Sequence, residues 1–318
     1  MLSADDLNRI LERLQTHFDI DPESEITLEA NPDDLIKKGY LSALTGTSIN
    51  RLSIGIQSFF EDDLIYMNRT HSGKEGFKAI EYSKGAGFEN ISVDLIYGTP
   101  TLSMQRWEKN IQTVCDMAIP HISAYSLTVE PKTALEKMIK QGKCQNVEDD
   151  DCASHFEFMV KYLGSKGYMH YEISNFCQKG YMAQHNSNYW RGGNYLGIGP
   201  SAHSYNGGKR QWNLSYNSRY INCIGSNGLF WREEELSELD RFNEYIMTSL
   251  RTIWGVDLDQ LEKTFGPQAL QSFLNGCKRH IDGGHLKKKG TKVIVTDIGK
   301  FITDSITADL FQVSDHAG

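Results

Sequence analysis

The stretch Ile91-Ser92-Val93-Asp94-Leu95-Ile96-Tyr97-Gly98-Thr99-Pro100 decides the fold of this chain. Apolar and β-branched residues dominate it, Gly85 and Gly87 precede it, and Gly98-Thr99-Pro100 ends it, which predicts a β-strand. A continuous apolar strand is typical of a parallel sheet covered by helices. Asp94 is the only charge in the stretch, and a buried carboxylate is costly unless something meets it. Asp94 therefore marks either a structural partner or a bound ligand.

Strand and helix patterns alternate on both sides of this stretch. The further strands are predicted at 25–31, 51–59, 121–129 and 169–175. Helices are predicted at 4–18, 32–44, 61–67, 73–84, 103–117, 131–141 and 149–165. A repeated strand–helix order with short connections predicts right-handed βαβ units and a parallel sheet. The spacing suits a βα-barrel, whole or partial, and also a doubly wound sheet.

Three of the predicted strands have one aliphatic and one polar face. The polar faces carry Glu29, Gln57 and Asp94 toward the carboxyl ends of their strands. Ligands of βα-barrels and open α/β sheets bind at that end, so we expect these side chains in one pocket. The alternative is a polar cluster that is solvated or paired within itself inside a barrel.

Composition narrows the classes of function. The chain has 318 residues, a formal net charge of -8 and six scattered cysteines without a C-x-x-C pair. The acidic balance argues against a nucleic-acid backbone as the main partner. No apolar run approaches the roughly 20 residues that span a bilayer, and no signal peptide is visible. We therefore expect a cytoplasmic protein with reduced thiols, and no metal or cluster site built from these cysteines alone.

The residue composition changes after the predicted barrel, which comprises residues 1–175. Residues 176–230 are rich in Gly, Asn, Tyr and Ser, which predicts a loop-rich extension containing His185-Asn186-Ser187-Asn188-Tyr189-Trp190. A helical pattern returns at Glu233, so residues 231–318 form a third region. Its elements are predicted as helices to Leu250 and at 257–264 and 267–281, a hairpin at 285–296 and a helix at 297–310. This order predicts a winged-helix-like α+β module. Such modules often bind DNA, but the acidic surroundings of the basic run at 287–289 favour packing or a partner instead.

Seven motifs identify a family. They are LEANP (28–32), RLSIGIQSF (51–59), SVDLIYGTP (92–100), HISAYSLTVEP (121–131), YEISNF (171–176), HNSNYW (185–190) and YLGIGPSAHSY (195–205). In this order they resemble the radical S-adenosylmethionine (SAM) proteins of the oxygen-independent coproporphyrinogen III oxidase-like group. Within that group the chain is most similar to the haem chaperone branch, HemW.

The resemblance implies an α/β fold, a partial (β/α)6 TIM-like barrel with a C-terminal winged-helix-like module. It implies SAM at the C-terminal end of the barrel, with Glu29 at the amino group and Gln57, Arg69 and Asp94 at the carboxylate and ribose region. A carboxylate suits a ribose diol or an ammonium, and an arginine suits a carboxylate. Two further positions match cofactor-facing residues of the family: Ser126 and His203.

The sequence departs from the family in one large feature. Family members begin with a strand carrying C-x-x-x-C-x-x-C, whose three thiolates hold a [4Fe–4S] cluster, and then a Gly-rich strand. Neither segment is in this sequence, so it resembles a member without the first two βα units. None of the six cysteines has the spacing that a cluster requires. The strand at 25–31 is then expected at an exposed edge of the sheet.

The motif at His185 favours the chaperone branch. H-N-x-x-Y-W resembles the haem-associated signature of that branch, and a neutral imidazole is a common ligand of haem iron. Tyr189 and Trp190 offer flat apolar contact to a porphyrin. The resemblance thus implies haem or another tetrapyrrole as ligand and a haem-acceptor protein as partner.

Four alternatives stay open. His185 could lie in an ordinary loop. The chain could be a coproporphyrinogen III oxidase, which decarboxylates two propionates oxidatively in porphyrin biosynthesis. It could also be a non-catalytic fragment, or a winged-helix protein that binds nucleic acid. No catalytic residue is assigned.

The missing cysteine motif leads to a first prediction. This chain alone should not assemble a [4Fe–4S] cluster and should not cleave SAM reductively, since it lacks suitably spaced thiolates. Anaerobic iron–sulfur reconstitution followed by iron and sulfide analysis checks this expectation. A stoichiometric [4Fe–4S] signal on this chain would refute it.

Overall fold

The computed structural model describes residues 2–313, and the chain divides into two units, Met1–Met182 and Ala183–Gly318. The sequence placed the end of the barrel region at residue 175. The first unit extends to Met182 because a short strand, Asn175–Cys177, still pairs within its sheet. The three-part division at 175 and 230 stays a prediction.

A six-stranded sheet organises the first unit. Its strands are β1 (Thr27–Ala30), β2 (Arg51–Gln57), β3 (Ile91–Tyr97), β4 (His121–Ser126), β5 (Met169–Glu172) and β6 (Asn175–Cys177). Their order in the sheet is β1-β2-β3-β4-β6-β5. The first four are parallel, β6 is antiparallel to β4, and β5 and β6 form a hairpin. The α/β class and the parallel start of the sheet agree with the sequence, and β1 lies at an edge as expected.

Helices connect these strands and cover the sheet. They are α1 (Ala4–His17), α2 (Pro32–Leu35), α3 (Tyr40–Leu44), α4 (Glu61–Tyr66), α5 (Gly73–Gly85), α6 (Met104–Asp116), α7 (Ala134–Lys140) and α8 (Asp149–Ser165). Capping boxes at Ser3 and Ser72 start α1 and α5. The aliphatic face of the strands, with Ile54, Val93 and Trp107 fully buried, forms the core.

Two predicted elements of the first unit are interrupted. The helix expected at 32–44 is two short helices, because Gly39 adopts a left-handed conformation (φ 79°). The strand expected at 169–175 reverses direction between β5 and β6. The Glu172 carboxylate accepts hydrogen bonds from Ser174 N (3.1 Å) and Asn175 Nδ2 (2.5 Å), which stabilises this turn. The sheet is therefore mixed rather than wholly parallel.

The second unit contains two small antiparallel sheets, five α-helices and one 3-10 helix (Lys300–Ile302) among its described residues. The helices are α9 (Gln184–Trp190), α10 (Asn217–Gly225), α11 (Glu238–Leu250), α12 (Leu258–Asp282) and α13 (Thr303–Leu310). The strands are β7 (His203–Tyr205), β8 (Lys209–Asn213), β9 (Trp231–Glu235), β10 (Val256–Asp257), β11 (Leu286–Lys289) and β12 (Lys292–Val295). The sheet orders are β7-β8-β9 and β10-β12-β11.

The stretch predicted to be loop-rich is more regular than expected. Its β7-β8-β9 sheet and α10 are short elements, which give no long periodicity in the sequence. The amide of Asn213 donates to the carbonyls of Gly197 (3.2 Å) and Gly199 (2.9 Å) and so holds the preceding loop. Side-chain hydrogen bonds to backbone thus order a segment whose pattern predicts only loop.

The C-terminal module follows the predicted order with shifted boundaries. The helix expected from Glu233 begins at Glu238, because Ser237 and Asp240 form a capping box and the preceding residues form β9. The two-stranded hairpin gains β10 as a third strand. The helices expected at 257–264 and 267–281 are α12 with a break at Gly266. The winged-helix-like description of this module stays a prediction.

A buried hydrogen-bond network joins the loops after β2 and β3. The Asp63 carboxylate accepts from Ser58 Oγ (2.7 Å) and Thr101 Oγ1 (2.5 Å). Asn110 donates from Nδ2 to Ser58 Oγ (3.1 Å) and accepts from the Phe59 amide (3.0 Å). Asp63 is fully buried, so its charge depends on these donors.

Removing the centre of this network should destabilise the first unit. We expect Asp63→Ala to lower the free energy of unfolding by about 2–4 kcal/mol, because buried hydroxyls lose a charged acceptor. The neighbouring Asp62→Ala removes only an exposed ion pair with Arg106 and should cost at most about 1 kcal/mol. Urea unfolding of both variants checks the difference, and equal small losses would contradict the assigned role of Asp63.

Candidate functional site

Strands β1 to β4 present one polar face. In the strand registers Glu29 lies beside Ser53, Ser53 beside Ser92, and Asp94 beside Ser123. Residues in register on neighbouring strands share a face, so Glu29 and Asp94 are on the same side of the sheet. Glu29 is exposed and Asp94 is partly buried. The structure thus brings together two of the carboxylates predicted from the sequence.

Asp94 has hydrogen-bond donors but no cation against it. Ser53 Oγ lies 3.3 Å from Oδ1 and 3.5 Å from Oδ2 of the carboxylate. Arg51, also on β2, lies 3.9 Å from Glu25 instead. Within residues 2–313 no lysine, arginine or histidine is within ion-pair distance of Asp94. Asp94 therefore has structural partners in the hydroxyl groups of Ser53 and Ser123, and a bound ligand stays a prediction.

The environment of Asp94 disfavours its charge. Burial raises the pKa of Asp94 to about 6, hydrogen bonds from Ser53 and Ser123 offset part of this rise, and repulsion by Glu29 adds to it. A carboxylate held in this way gains from any ligand that offers an ammonium, a guanidinium or a pair of hydroxyl groups.

Gln57 reaches the same face through an irregularity of β2. The β2–β3 register shifts between Ile54 and Gln57, and Gln57 has a left-handed backbone (φ 64°). Its amide lies over Gly55, where an added Cβ would stand 2.9 Å from Gln57 Nε2. Gly55 therefore leaves the space that the Gln57 side chain occupies. The sequence indicated the face of Gln57 but not this bulge.

A buried chain of neutral groups continues the polar face across β3, β4 and β5. Ser92 Oγ lies 2.7 Å from His121 Nδ1, and His121 Nε2 lies 2.8 Å from the Tyr171 hydroxyl. Burial lowers the pKa of His121 to about 3, so this imidazole is neutral at neutral pH. This hydrogen-bonded series of side chains was not predicted from the sequence. The alternation His121, Ser123, Tyr125 on β4 was the signal that could have revealed it.

One predicted SAM residue, Ser126, lies on the opposite face of β4. Ser126 donates from Oγ to Cys152 Sγ (3.3 Å) on α8, and its neighbour in register is the buried Tyr97 of the aliphatic face. Arg69 is exposed in the segment after α4. His203 is on β7 in the second unit, with its ring 6.4 Å from that of Trp212. Roles for Arg69, Ser126 and His203 stay predictions.

The H-N-x-x-Y-W motif forms helix α9. His185 is exposed, and its Nε2 lies 2.8 Å from the Tyr189 hydroxyl one turn later. The Tyr189 ring meets Tyr195 at 4.5 Å, edge to face, and Tyr195 lies 5.9 Å from Tyr205. The motif is thus an ordered helical turn at one end of a row of aromatic rings.

The cysteines of the described chain are dispersed. Burial raises the pKa of Cys115 and Cys177 to about 11 and of Cys277 to about 12, which disfavours the thiolates that ligate metals. Over residues 2–313 no three His, Cys, Asp or Glu side chains converge as ligands of one metal ion. These cysteines do not fit an iron–sulfur cluster.

Among residues 2–313 no helix has the length and apolar character to cross a membrane.

The sequence of this chain is similar to those of known proteins over most of its length. The Radical SAM superfamily profile matches residues 2–114, and the HemN C-terminal domain profile matches residues 236–302. The Bacillus subtilis protein named heme chaperone HemW is 32% identical, covering 89% of this chain and 75% of the relative. The Lactococcus lactis heme chaperone HemW is 31% identical, with 96% of this chain and 83% of the relative covered.

A solved structure shows the same fold. Coproporphyrinogen III oxidase (HemN) from Escherichia coli, described as a radical SAM enzyme, superposes with a TM-score of 0.82. The match covers 98% of this chain and 75% of that chain at 19% identity, so it bears on the fold alone. Together with the relatives that are more than 30% identical, these observations establish that the chain belongs to the HemW family of radical SAM proteins.

Proposed function

We propose that this protein binds haem and delivers it to an acceptor protein, and that the polar face of its β1–β4 sheet binds SAM. The observation that carries the SAM part is the shared face of Glu29, Gln57 and Asp94, with Asp94 partly buried and unpaired with any described cation. The relatives named heme chaperone support the haem part.

The donor set suits the groups that SAM presents. The exposed carboxylate of Glu29 suits the ammonium of the methionine moiety, and Asp94 suits the ribose hydroxyls. The Gln57 amide can donate to a carboxylate and accept from an ammonium. Arg69 would complete the carboxylate site if its segment approaches this face. When SAM is bound beside a [4Fe–4S] cluster, it supplies a carbon radical. The described cysteines of this chain do not fit that cluster.

The His185 motif suits a haem ligand. An exposed imidazole can ligate iron, and the rings of Tyr189 and Tyr195 beside it offer flat apolar contact. Ligation through Nε2 would replace the present hydrogen bond with the Tyr189 hydroxyl. The acceptor of the haem is expected to be a protein.

The chaperone proposal is preferred to the oxidase alternative. The structural likeness to coproporphyrinogen III oxidase concerns the fold and does not favour its activity. The two relatives described above, which are more than 30% identical to this chain, are named heme chaperone HemW, which supports the chaperone proposal. A purely non-catalytic role in haem binding remains compatible with the proposal, since haem transfer by itself requires no bond cleavage.

SAM binding should depend on Asp94. We expect Asp94→Asn to weaken SAM binding at least tenfold, because the amide carries no charge and accepts fewer hydrogen bonds from a diol. Asp116→Asn makes the same change at an exposed carboxylate at the end of α6 and should leave the affinity within twofold. Isothermal titration with SAM measures both. Equal affinities for wild type and Asp94→Asn would remove Asp94 from the site.

The same substitution should change stability with pH. The folded-state pKa of Asp94, about 6, exceeds its ordinary value of 3.8, so the folded chain holds the proton more tightly. Its contribution is present below pH 4 and is lost as the pH rises through 6. Asp94→Asn should therefore gain stability relative to wild type between pH 4.5 and pH 7.5, by about 1–3 kcal/mol. Denaturant unfolding at both pH values measures the gain, and a pH-independent difference would contradict the assigned burial.

Haem binding should depend on His185. We expect His185→Ala to shift the Soret band and to weaken haem binding at least tenfold, since the ligand to iron is lost. His17→Ala, an exposed histidine on α1, is the matched control and should behave as wild type. Absorbance titration with haem reports both band position and affinity. Unchanged binding by His185→Ala would exclude it as the ligand.

A further inference from the structure

A cavity of about 630 Å3 lies within the second unit, beside helix α9. Tyr189 and Trp190 of the H-N-x-x-Y-W motif line it, together with residues of β7, β8, α11, α12 and β12. Its volume falls within the range of sites for small molecules and cofactors. No sequence pattern predicts this cavity, because its lining residues are spread from position 189 to position 292.

The cavity has an aromatic wall. Seven of its lining side chains are Tyr, Trp or Phe. Three of them, Tyr189, Tyr195 and Tyr205, form the row of rings that begins at the His185 motif. Trp254 lies on another part of the lining. Such a wall offers extended flat contact and suits a planar, largely apolar ligand.

The cavity also has cations that no described carboxylate neutralises. Arg191, Arg241 and Lys292 line it, and over residues 2–313 none of them is within ion-pair distance of an acidic side chain. The Arg191 guanidinium carbon lies 4.1 Å from the centroid of the Trp254 ring. Stacking on a ring face leaves the N–H edge of a guanidinium available to an anion.

The acidic groups of the cavity are already engaged. Glu244 pairs with Arg210, which also contacts Glu234 at 3.2 Å. The Asp257 carboxylate caps helix α12 by accepting from the amides of Asp259 and Gln260, both at 3.1 Å. The three unpaired cations therefore give this cavity a positive character in a chain whose net charge is -8. An anion is the ligand part that this arrangement favours.

We infer that this cavity holds the carboxylate-bearing edge of a tetrapyrrole, with Arg191, Arg241 and Lys292 binding the carboxylates and the aromatic wall contacting the macrocycle. The inference rests on the proposed haem function and adds the groups that would recognise the ligand's acidic side. A planar hydrophobic body with anionic groups at one edge matches both features of the cavity. Tyr189 lines the cavity, and its hydroxyl is hydrogen-bonded to His185, the proposed iron ligand.

The test compares two ligands and two pairs of arginines in the full chain. The ligands are haem and haem dimethyl ester, which lacks the free carboxylates. The variants are Arg191→Gln/Arg241→Gln and a control, Arg219→Gln/Arg232→Gln, which removes two exposed arginines of the same unit outside the cavity. Absorbance titration gives the dissociation constants. Arg241→Gln alone serves as a second variant, because it leaves the Arg191–Trp254 stacking intact.

We expect the cavity variant to bind haem at least tenfold more weakly than wild type, and Arg241→Gln at least threefold more weakly. The control should stay within twofold. Wild type should bind the ester at least as weakly as the cavity variant binds haem, because the ester loses all the charge pairing whereas the variant keeps Lys292. An excess of ATP, another planar anion, should leave haem binding unchanged; competition by ATP would instead assign the cavity to nucleotides and overturn the inference.

Two failures are distinguishable. If wild type binds haem and the cavity variants bind it equally well, the cavity assignment is wrong and the proposed haem function stands. If wild type binds neither ligand, the proposed haem function is wrong, and the cavity assignment that rests on it is wrong as well. The position of the Soret band separates the two roles further, because loss of Arg191 and Arg241 should weaken binding without changing the band that His185 sets.

Discussion

The candidate site of the first unit is organised around a carboxylate, Asp94, that the fold buries without a cation in ion-pair contact among the described residues. Asp94 sits in the central strand of a sheet whose other face is the hydrophobic core, so the strand cannot move without disrupting that core. Burial raises the pKa of Asp94 to about 6, and the cost of its charge is of the order of 2 to 3 kcal/mol at neutral pH. Small domains are stable by only about 5–15 kcal/mol, so such a cost is substantial. Groups of this kind are concentrated at functional sites.

The surroundings of Asp94 keep the face polar without neutralising it. Ser53 and Ser92 are small hydroxyl donors, and His121 is neutral because burial lowers its pKa. The buried network around Asp63 fixes the loops that follow β2 and β3. These features hold the carboxyl ends of the strands in place and leave Asp94 without a described cation in ion-pair contact. The proposed SAM site uses this arrangement, because fixed polar groups bind a charged ligand without reorganising.

The two units offer opposite chemistries. The first presents acidic and amide groups on a sheet, which suit a cationic cofactor with hydroxyl groups. The second presents an aromatic cavity with unpaired arginines, which suits a planar anion. Each arrangement is formed by described residues of one unit. The family relationship and the two sites therefore lead to the same proposal from separate observations: SAM on the sheet and a tetrapyrrole in the second unit.

The sequence by itself determined the four parallel strands, the polar and apolar faces of the first three, and the family, because period-two alternation and short motifs depend only on neighbours along the chain. It placed Glu29 and Asp94 on one face correctly for that reason. Only the tertiary structure decided what lies across that face. The bulge that carries Gln57 over Gly55, the reversal between β5 and β6, the direction of Ser126 toward Cys152 and the gathering of Arg191 with Arg241 and Lys292 all arise from contacts between residues far apart in sequence. Such contacts depend on how the elements pack, and no local pattern encodes them.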